Sequence, residues 1–100
     1  MRATLTETRL REEDLRTLFN NLTCWDRAMQ QEFLCCLRYC MDATPGIFPP
    51  GTKSITLACY HPVNPERFIV HFYWHPNLGL QASQLLDPKD IIVDGTHYFI

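Results

Sequence analysis

The chain has 100 residues and a formal net charge of −2, from nine Lys and Arg against eleven Asp and Glu. A chain of this length makes one domain with a modest core, and it has no apolar run long enough to span a bilayer. The net charge disfavours a protein that coats nucleic acid, because binding phosphates without sequence specificity needs clustered Lys and Arg. Five cysteines behind an N-terminus without a signal-peptide core predict free thiols in a reducing compartment, and we expect a cytoplasmic location.

The first half of the chain is predicted to be helical. Apolar residues recur at helical spacing within residues 9–22, while charged residues fill the intervening positions. Thr23, with an acid three residues later, resembles a capping box and predicts the start of a second helix. That helix is expected to end at Thr44-Pro45-Gly46, because proline disfavours the helical region for the residue before it. Its apolar side consists of Trp25, Met29, Phe33, Cys36, Leu37, Cys40 and Met41.

The second half of the chain is predicted to be β. Residues 53–61 alternate between larger apolar side chains and small or polar ones, as expected for a half-buried strand. Pro62-Val63-Asn64-Pro65 predicts a turn into a second strand, and Asp94-Gly95 between apolar runs predicts a hairpin at the end of the chain. Residues 77–86 fit either a short helix or an irregular segment.

These elements predict an α+β fold, in which an N-terminal helical hairpin packs on a C-terminal three- or four-stranded antiparallel sheet. We expect a single domain over residues 1–100, with a helical half at 8–43 and a mainly β half at 53–100. The helices of this arrangement cover one face of the sheet, and the other face stays open.

The strand that begins near Arg67 carries large side chains on both of its faces. An antiparallel strand with one solvated face should alternate apolar and polar residues, so both faces of this strand are expected to need a cover. We expect the second cover to be another protein, another copy of the chain or a ligand. The two faces are Phe68, Val70, Phe72 and Trp74 on one side, and Ile69, His71, Tyr73 and His75 on the other.

Cys36 and Cys40, with Cys59 and His61 from the first predicted strand, form the best candidate set of metal ligands. Their spacing is not that of a zinc finger or ribbon, and thiols in the apolar stripe of a helix commonly act as small hydrophobes. We therefore favour core cysteines, and we predict neither a metal nor another cofactor. A thiol nucleophile paired with a histidine has no supporting local motif either, so we expect a protein that is not an enzyme.

His71, Tyr73 and His75 share one strand face, which also suits the stacking of nucleic-acid bases. No Lys or Arg lies beside them in the sequence to hold phosphates, and stacking alone is weak. A small nucleic-acid-binding regulator is therefore the alternative to a protein-contact role.

The predicted partner-binding residues belong to the aromatic strand and to two arginines. Trp74 or Tyr73 is expected to act as an anchor in a pocket of the partner, with Arg38 or Arg67 at the polar rim. The full set is Ile69, His71, Tyr73, Trp74, His75, Arg67 and Arg38.

Six prolines punctuate the second half of the chain, and a cis bond at any of them would make folding slow. A prolyl isomerase would then be a further partner, although the trans form is favoured for each bond taken singly.

The chain resembles the small accessory proteins encoded by lambdoid phages, and more narrowly their anti-RecBCD protein. The resemblance extends from the charged segment Arg9-Leu10-Arg11-Glu12-Glu13-Asp14-Leu15 through Phe72-Tyr73-Trp74-His75-Pro76, without a family motif. It implies a non-enzymatic modulator that binds a subunit of a large host DNA-processing enzyme in the bacterial cytoplasm. The chain lacks the dense acidic surface of DNA-mimic inhibitors, so blocking a DNA channel by charge is disfavoured.

Overall fold

The computed structural model describes residues 4–82 and 85–100, which form one sheet with two short helices packed on it. Along the chain, the elements are β1 (Thr6–Arg9), α1 (Glu12–Asn21), α2 (Cys24–Met29), β2 (Leu34–Asp42), β3 (Lys53–Tyr60), β4 (Arg67–His75), β5 (Gly79–Leu80), β6 (Asp87–Val93) and β7 (Thr96–Phe99). The strand order is β1-β7-β6-β4-β3-β2, with β5 beside β4. β1 runs parallel to β7, and the other pairs are antiparallel.

The predicted fold class is wrong. Strands account for 47% of the structure and helices for 17%, so the fold is a seven-stranded mixed sheet rather than a helical hairpin on three or four strands. The segment 8–43, predicted as a helical half, contains both helices and also β2, which is a full-length strand. A short strand that sequence periodicity did not indicate, β1, precedes the helices and pairs with the C-terminal strand β7.

The second helix begins where it was predicted but ends twelve residues before Met41, at Met29. Gln31 adopts a left-handed conformation with φ of 65°, and its N–H donates to the Ala28 carbonyl at 3.0 Å. The N–H of Glu32 donates to the Arg27 carbonyl at 2.9 Å, which completes a Schellman motif and stops the helix.

The predicted capping box at Thr23 is also wrong. Thr23 has a left-handed backbone, and its hydroxyl donates to the carbonyl of Leu22 instead of capping a helix N–H. Its own N–H donates to the Asn20 carbonyl at 3.0 Å, so Thr23 closes α1 while α2 begins at Cys24.

The stretch predicted as the second half of that helix forms β2, the outermost strand next to β3. Its pairing with β3 runs from Leu34 opposite Tyr60 to Asp42 opposite Lys53, with a bulge that inserts Arg38. Apolar residues are so dense in this stretch that a helical and an extended pattern both fit, and pairing with β3 supplies backbone hydrogen bonds to the extended form. All nine residues of β2 are exposed.

The predictions for the second half agree with the structure at both hairpins. Pro62 to Pro65 joins β3 to β4, and the N–H groups of Val63 and Asn64 donate to Nδ1 of His61. Asp94 and Gly95, with φ of 51° and 76°, form the tight turn between β6 and β7. In the uncertain segment 77–86, Gly79 and Leu80 form β5, while residues 83 and 84 lie outside the described part of the chain.

The core lies between the helices and one face of the sheet. Phe68 on β4 is its centre, because the ring contacts Phe19 of α1 at 5.3 Å and Phe33 at 5.1 Å, both edge to face. Leu15 and Ile91 are buried beside these rings. Burial of this face confirms that the Phe68, Val70 and Phe72 side of the strand has a cover.

Cys35 and Cys59 face each other across β2 and β3 and form a disulfide, so the expectation of five free thiols is wrong for this pair. Cys24 is buried, whereas Cys36 and Cys40 are exposed on β2 and not in the core.

Two further expectations concern the backbone and the membrane. Every peptide bond in residues 4–82 and 85–100 is trans, and a prolyl isomerase stays an untested partner. Neither α1 nor α2 has the length and apolar character needed to cross a bilayer.

Candidate functional site

The face of the sheet turned away from the helices is the candidate site, and we call it the open face. On β4 it carries Arg67, Ile69, His71, Tyr73 and His75, because side chains alternate along a strand. The Arg67 side chain is exposed, and the other four side chains are half-buried. Five of the seven predicted partner-binding residues therefore lie together.

Trp74 does not belong to this group. It follows Phe72 on the helix side of the sheet, opposite Leu80 of β5, and 42% of it is exposed. It cannot act as an anchor on the same surface as Ile69 and Tyr73.

Arg38, the seventh predicted residue, lies on the open face by alternation from Cys36, immediately before a shift in the pairing of β2. The pairing moves from Leu37 opposite Leu57 to Tyr39 opposite Thr56, which leaves Arg38 as the extra residue. Arg38 and Arg67 line the same groove, of about 340 Å³, at the β2 side of the open face. The other groove-lining side chains on this face are Cys36, Ala58, Tyr60 and Ile69.

Tyr60 forms the wall of the groove at the end of β3. Its hydroxyl lies 3.9 Å from the Cys36 sulfur, and this contact raises the pKa of Tyr60 above its usual value. Tyr60 and Arg67 also line a second groove of about 450 Å³, which continues past Pro65 to Ile92 and Leu5. The two grooves together cross the open face from β2 to β6.

His71 is held in place within the sheet. Its Nε2 shares a hydrogen bond of 2.7 Å with the Ser54 hydroxyl, and the Tyr73 ring packs edge-on at 4.8 Å. The pKa of His71 is lowered mainly by burial and, to a smaller extent, by the positive charge of Lys89. The hydrogen bond to Ser54 and the packing of Tyr73 give His71 a structural role.

The far end of the open face is covered by the connector at residues 45–51. The Phe48 ring stacks on Tyr73 at 4.3 Å, and Nε2 of His75 lies 3.0 Å from the Pro50 carbonyl oxygen. Nδ1 of His75 accepts N–H bonds from Asn77 and Leu78, which fixes that ring as well. The part of the face that stays accessible is therefore the groove at the Arg67 and Ile69 end.

The candidate metal ligands are not brought together. Cys36 pairs with Ala58 and Cys40 with Ile55, so their side chains lie on opposite faces of the sheet. Cys59 is in the disulfide, and His61 accepts hydrogen bonds within its turn. Within residues 4–82 and 85–100, no three potential ligands form a metal-binding group.

Sequence reasoning missed the contribution of β2 to the site. Besides two groove residues, this strand presents a free edge with Leu37 62% exposed and Tyr39 59% exposed. The free N–H and C=O groups of such an edge can pair with another extended chain. The apolar density of residues 34–42 is visible in the sequence, but its spacing also fits a helix.

Comparison with protein-family models, curated proteins and solved structures finds no match for this chain. The resemblance to lambdoid-phage proteins therefore stays a prediction.

Proposed function

We propose that this protein is a non-enzymatic protein-binding module that docks its partner on the open face and along the free edge of β2. The observation that carries the proposal is the exposed, apolar strand β2, which borders a groove on a sheet face that the helices leave uncovered. Soluble monomers rarely expose a long apolar edge, and such edges are typical of strand-to-strand contacts between chains.

The shape of the surface favours a protein over a small substrate. The grooves run across a sheet face, and the described histidines of that face are engaged in contacts with Ser54, with the connector, and with Glu7 and Asp90. A catalytic centre would need a general base or nucleophile directed into a cavity.

The partner that we propose is a subunit of a host DNA-processing nuclease of the RecBCD kind. The resemblance to lambdoid-phage accessory proteins supports this choice. A net charge of −2 also supports contact with the protein part of such an enzyme rather than with its DNA.

The test is capture from a bacterial lysate with the tagged protein, followed by mass spectrometry and by the mass of the free protein in solution. We expect a stoichiometric partner with the wild type and with Met29→Arg, a control on the exposed helix side. Ile69→Arg and Cys36→Arg should abolish capture, because both place a charge in the groove. Cys36 is exposed, so its variant separates loss of binding from loss of folding.

Capture that survives both groove variants would contradict the proposal. An empty eluate from a protein whose solution mass is that of a dimer would also contradict it, because the open face would then be covered by a second copy.

A further inference from the structure

Two arginines face the groove without a carboxylate partner. Arg11, Arg16 and Arg27 each form an ion pair with a Glu or Asp. Arg38 and Arg67 form none within the described part of the chain, although both line the same groove. Two like charges around one groove repel each other mildly, and an anion between them would relieve this repulsion.

The groove between them is apolar apart from the arginines and the Tyr60 hydroxyl. Ala58 and Ile69 face it from β3 and β4, and Cys36 closes it at β2. A ligand that fits must therefore combine an anionic group with apolar surface. An acidic side chain next to apolar residues has this combination, and a guanidinium can hold a carboxylate through two parallel hydrogen bonds.

The edge of β2 defines the conformation of the ligand. Its outer backbone groups face none of the seven described strands, because β2 ends the strand order. An extended segment that pairs with this edge satisfies those groups and directs alternate side chains toward the open face. One such side chain can reach Arg38 at the bulge.

A polynucleotide fits the same surface less well. Among the residues that the structure describes, two cations line this groove. Glu7 and Asp90 lie further along the open face and are joined by His97 at 2.8 and 3.2 Å. A phosphate chain that crosses the sheet would meet these carboxylates.

We propose that the groove between Arg38 and Arg67 binds an extended protein segment in which an acidic residue is flanked by apolar residues. This inference rests on the proposed protein-binding function and specifies the chemistry of the partner.

The test is selection of binders from a displayed library of random short peptides. The 100-residue chain is used in parallel as the wild type, as Arg38→Glu with Arg67→Glu, and as Arg11→Glu. Arg11→Glu is the control for each single groove variant, because Arg11 is an exposed arginine beside α1 and a single Arg→Glu substitution changes the charge equally at each position. Selected peptides are then titrated by fluorescence anisotropy, together with a single-stranded oligonucleotide.

We expect the peptides selected by the wild type and by Arg11→Glu to be enriched in acidic residues flanked by apolar residues. The double variant should select basic residues instead, and each single groove variant should weaken a selected acidic peptide by about tenfold or more. Thermal unfolding of each variant verifies that the fold is retained.

The inference is overturned if no acidic residues are enriched, if the double variant selects the same peptides, or if only the oligonucleotide binds. Failure of the inference is distinct from failure of the proposed function. One outcome is that Cys36→Arg abolishes capture from lysate while the arginine variants do not. In that case the proposed docking on the open face is supported, and the proposed recognition of an acidic segment is contradicted.

Discussion

Among single residues, Arg27 connects several parts of the fold. Its guanidinium donates to both carboxylate oxygens of Glu66, at 2.7 and 2.9 Å, and also pairs with Glu32. It lies 4.8 Å from the centre of the Phe33 ring as well. Arg27 therefore joins the end of α2 to the turn that leads into β4, the strand that carries the site.

Replacing Arg27 by Gln should destabilise the fold by about 1–3 kcal/mol, because Glu66 is then left partly buried without its charged partner. Urea unfolding of both proteins measures the difference. The control is Arg11→Gln, whose ion pair with Glu13 is exposed and is expected to contribute less than about 1 kcal/mol. Equal losses in the two variants would contradict the role given to Arg27.

The same pair predicts a pH dependence. Hydrogen bonds from Arg27 hold the pKa of Glu66 below its usual value of 4.5 in the folded state. A carboxylate with a lowered folded pKa stabilises the fold above its unfolded pKa, and this contribution is lost as the pH falls through the folded pKa. The difference in free energy of unfolding between the wild type and Arg27→Gln should be constant from neutral pH to about pH 5 and should decrease at lower pH. A difference that persists undiminished in strong acid would be evidence against this ion pair.

The free cysteines should differ sharply in reactivity. Burial raises the pKa of Cys24 to about 12, whereas Cys36 and Cys40 are exposed on β2. Because the thiolate is the reactive form, iodoacetamide should alkylate Cys36 and Cys40 in the native protein and Cys24 only after unfolding. Peptide mass spectrometry without prior reduction locates the labels. Rapid native labelling of Cys24 would show that α2 does not seal the core.

At the level of elements, β4 and β2 are expected to contribute very differently to stability. Phe68→Ala removes the ring that Phe19 and Phe33 contact, and it should cost about 3–5 kcal/mol. Tyr39→Ala on the exposed edge should change stability by no more than about 0.5 kcal/mol. Chemical denaturation of the two variants makes the comparison. A large loss at Tyr39 would mean that β2 is covered in the free protein.

The sequence predicted the elements whose signals are local and failed where two patterns coincide. The turns at Pro62 to Pro65 and at Asp94-Gly95 were predicted correctly, because their residues favour turn conformations whatever surrounds them. The second helix was overextended because its end depends on Gln31 in a left-handed conformation, for which glutamine gives no signal. Pairing of β2 with β3 is a contact between distant segments, and periodicity along one segment does not contain it.

The candidate site was likewise predictable only where its signals are local. Alternation along β4 was enough to place Arg67 and Ile69 on one face with His71, Tyr73 and His75. The groove itself was beyond prediction, because Arg38 belongs to a segment whose apolar pattern also fits a helix, and only the pairing of β2 with β3 brings it to the open face. The cover over Tyr73 was missed for a related reason, since the connector folds back and stacks Phe48 on the ring.

In the molecule as a whole, the sheet is wider than the area that the two helices cover. The structure measures 50 by 27 by 22 Å, and the two helices are too short to cover a sheet of this width. β2 and the neighbouring part of β3 therefore project beyond the helices, with an apolar edge on one side and the groove on the open face. A partner that adds to this end would complete the sheet without any rearrangement of the core.

Hydroxyl-radical footprinting of the protein, alone and in complex with the partner captured from lysate, tests this account most directly. The method reports on individual side chains and so distinguishes the two faces of one sheet. We predict protection of Tyr39 and Tyr60 on the open face, with Met29 and Trp74 on the helix side unchanged. Protection of Met29 and Trp74, with the open face as reactive in the complex as in the free protein, would contradict docking on the open face.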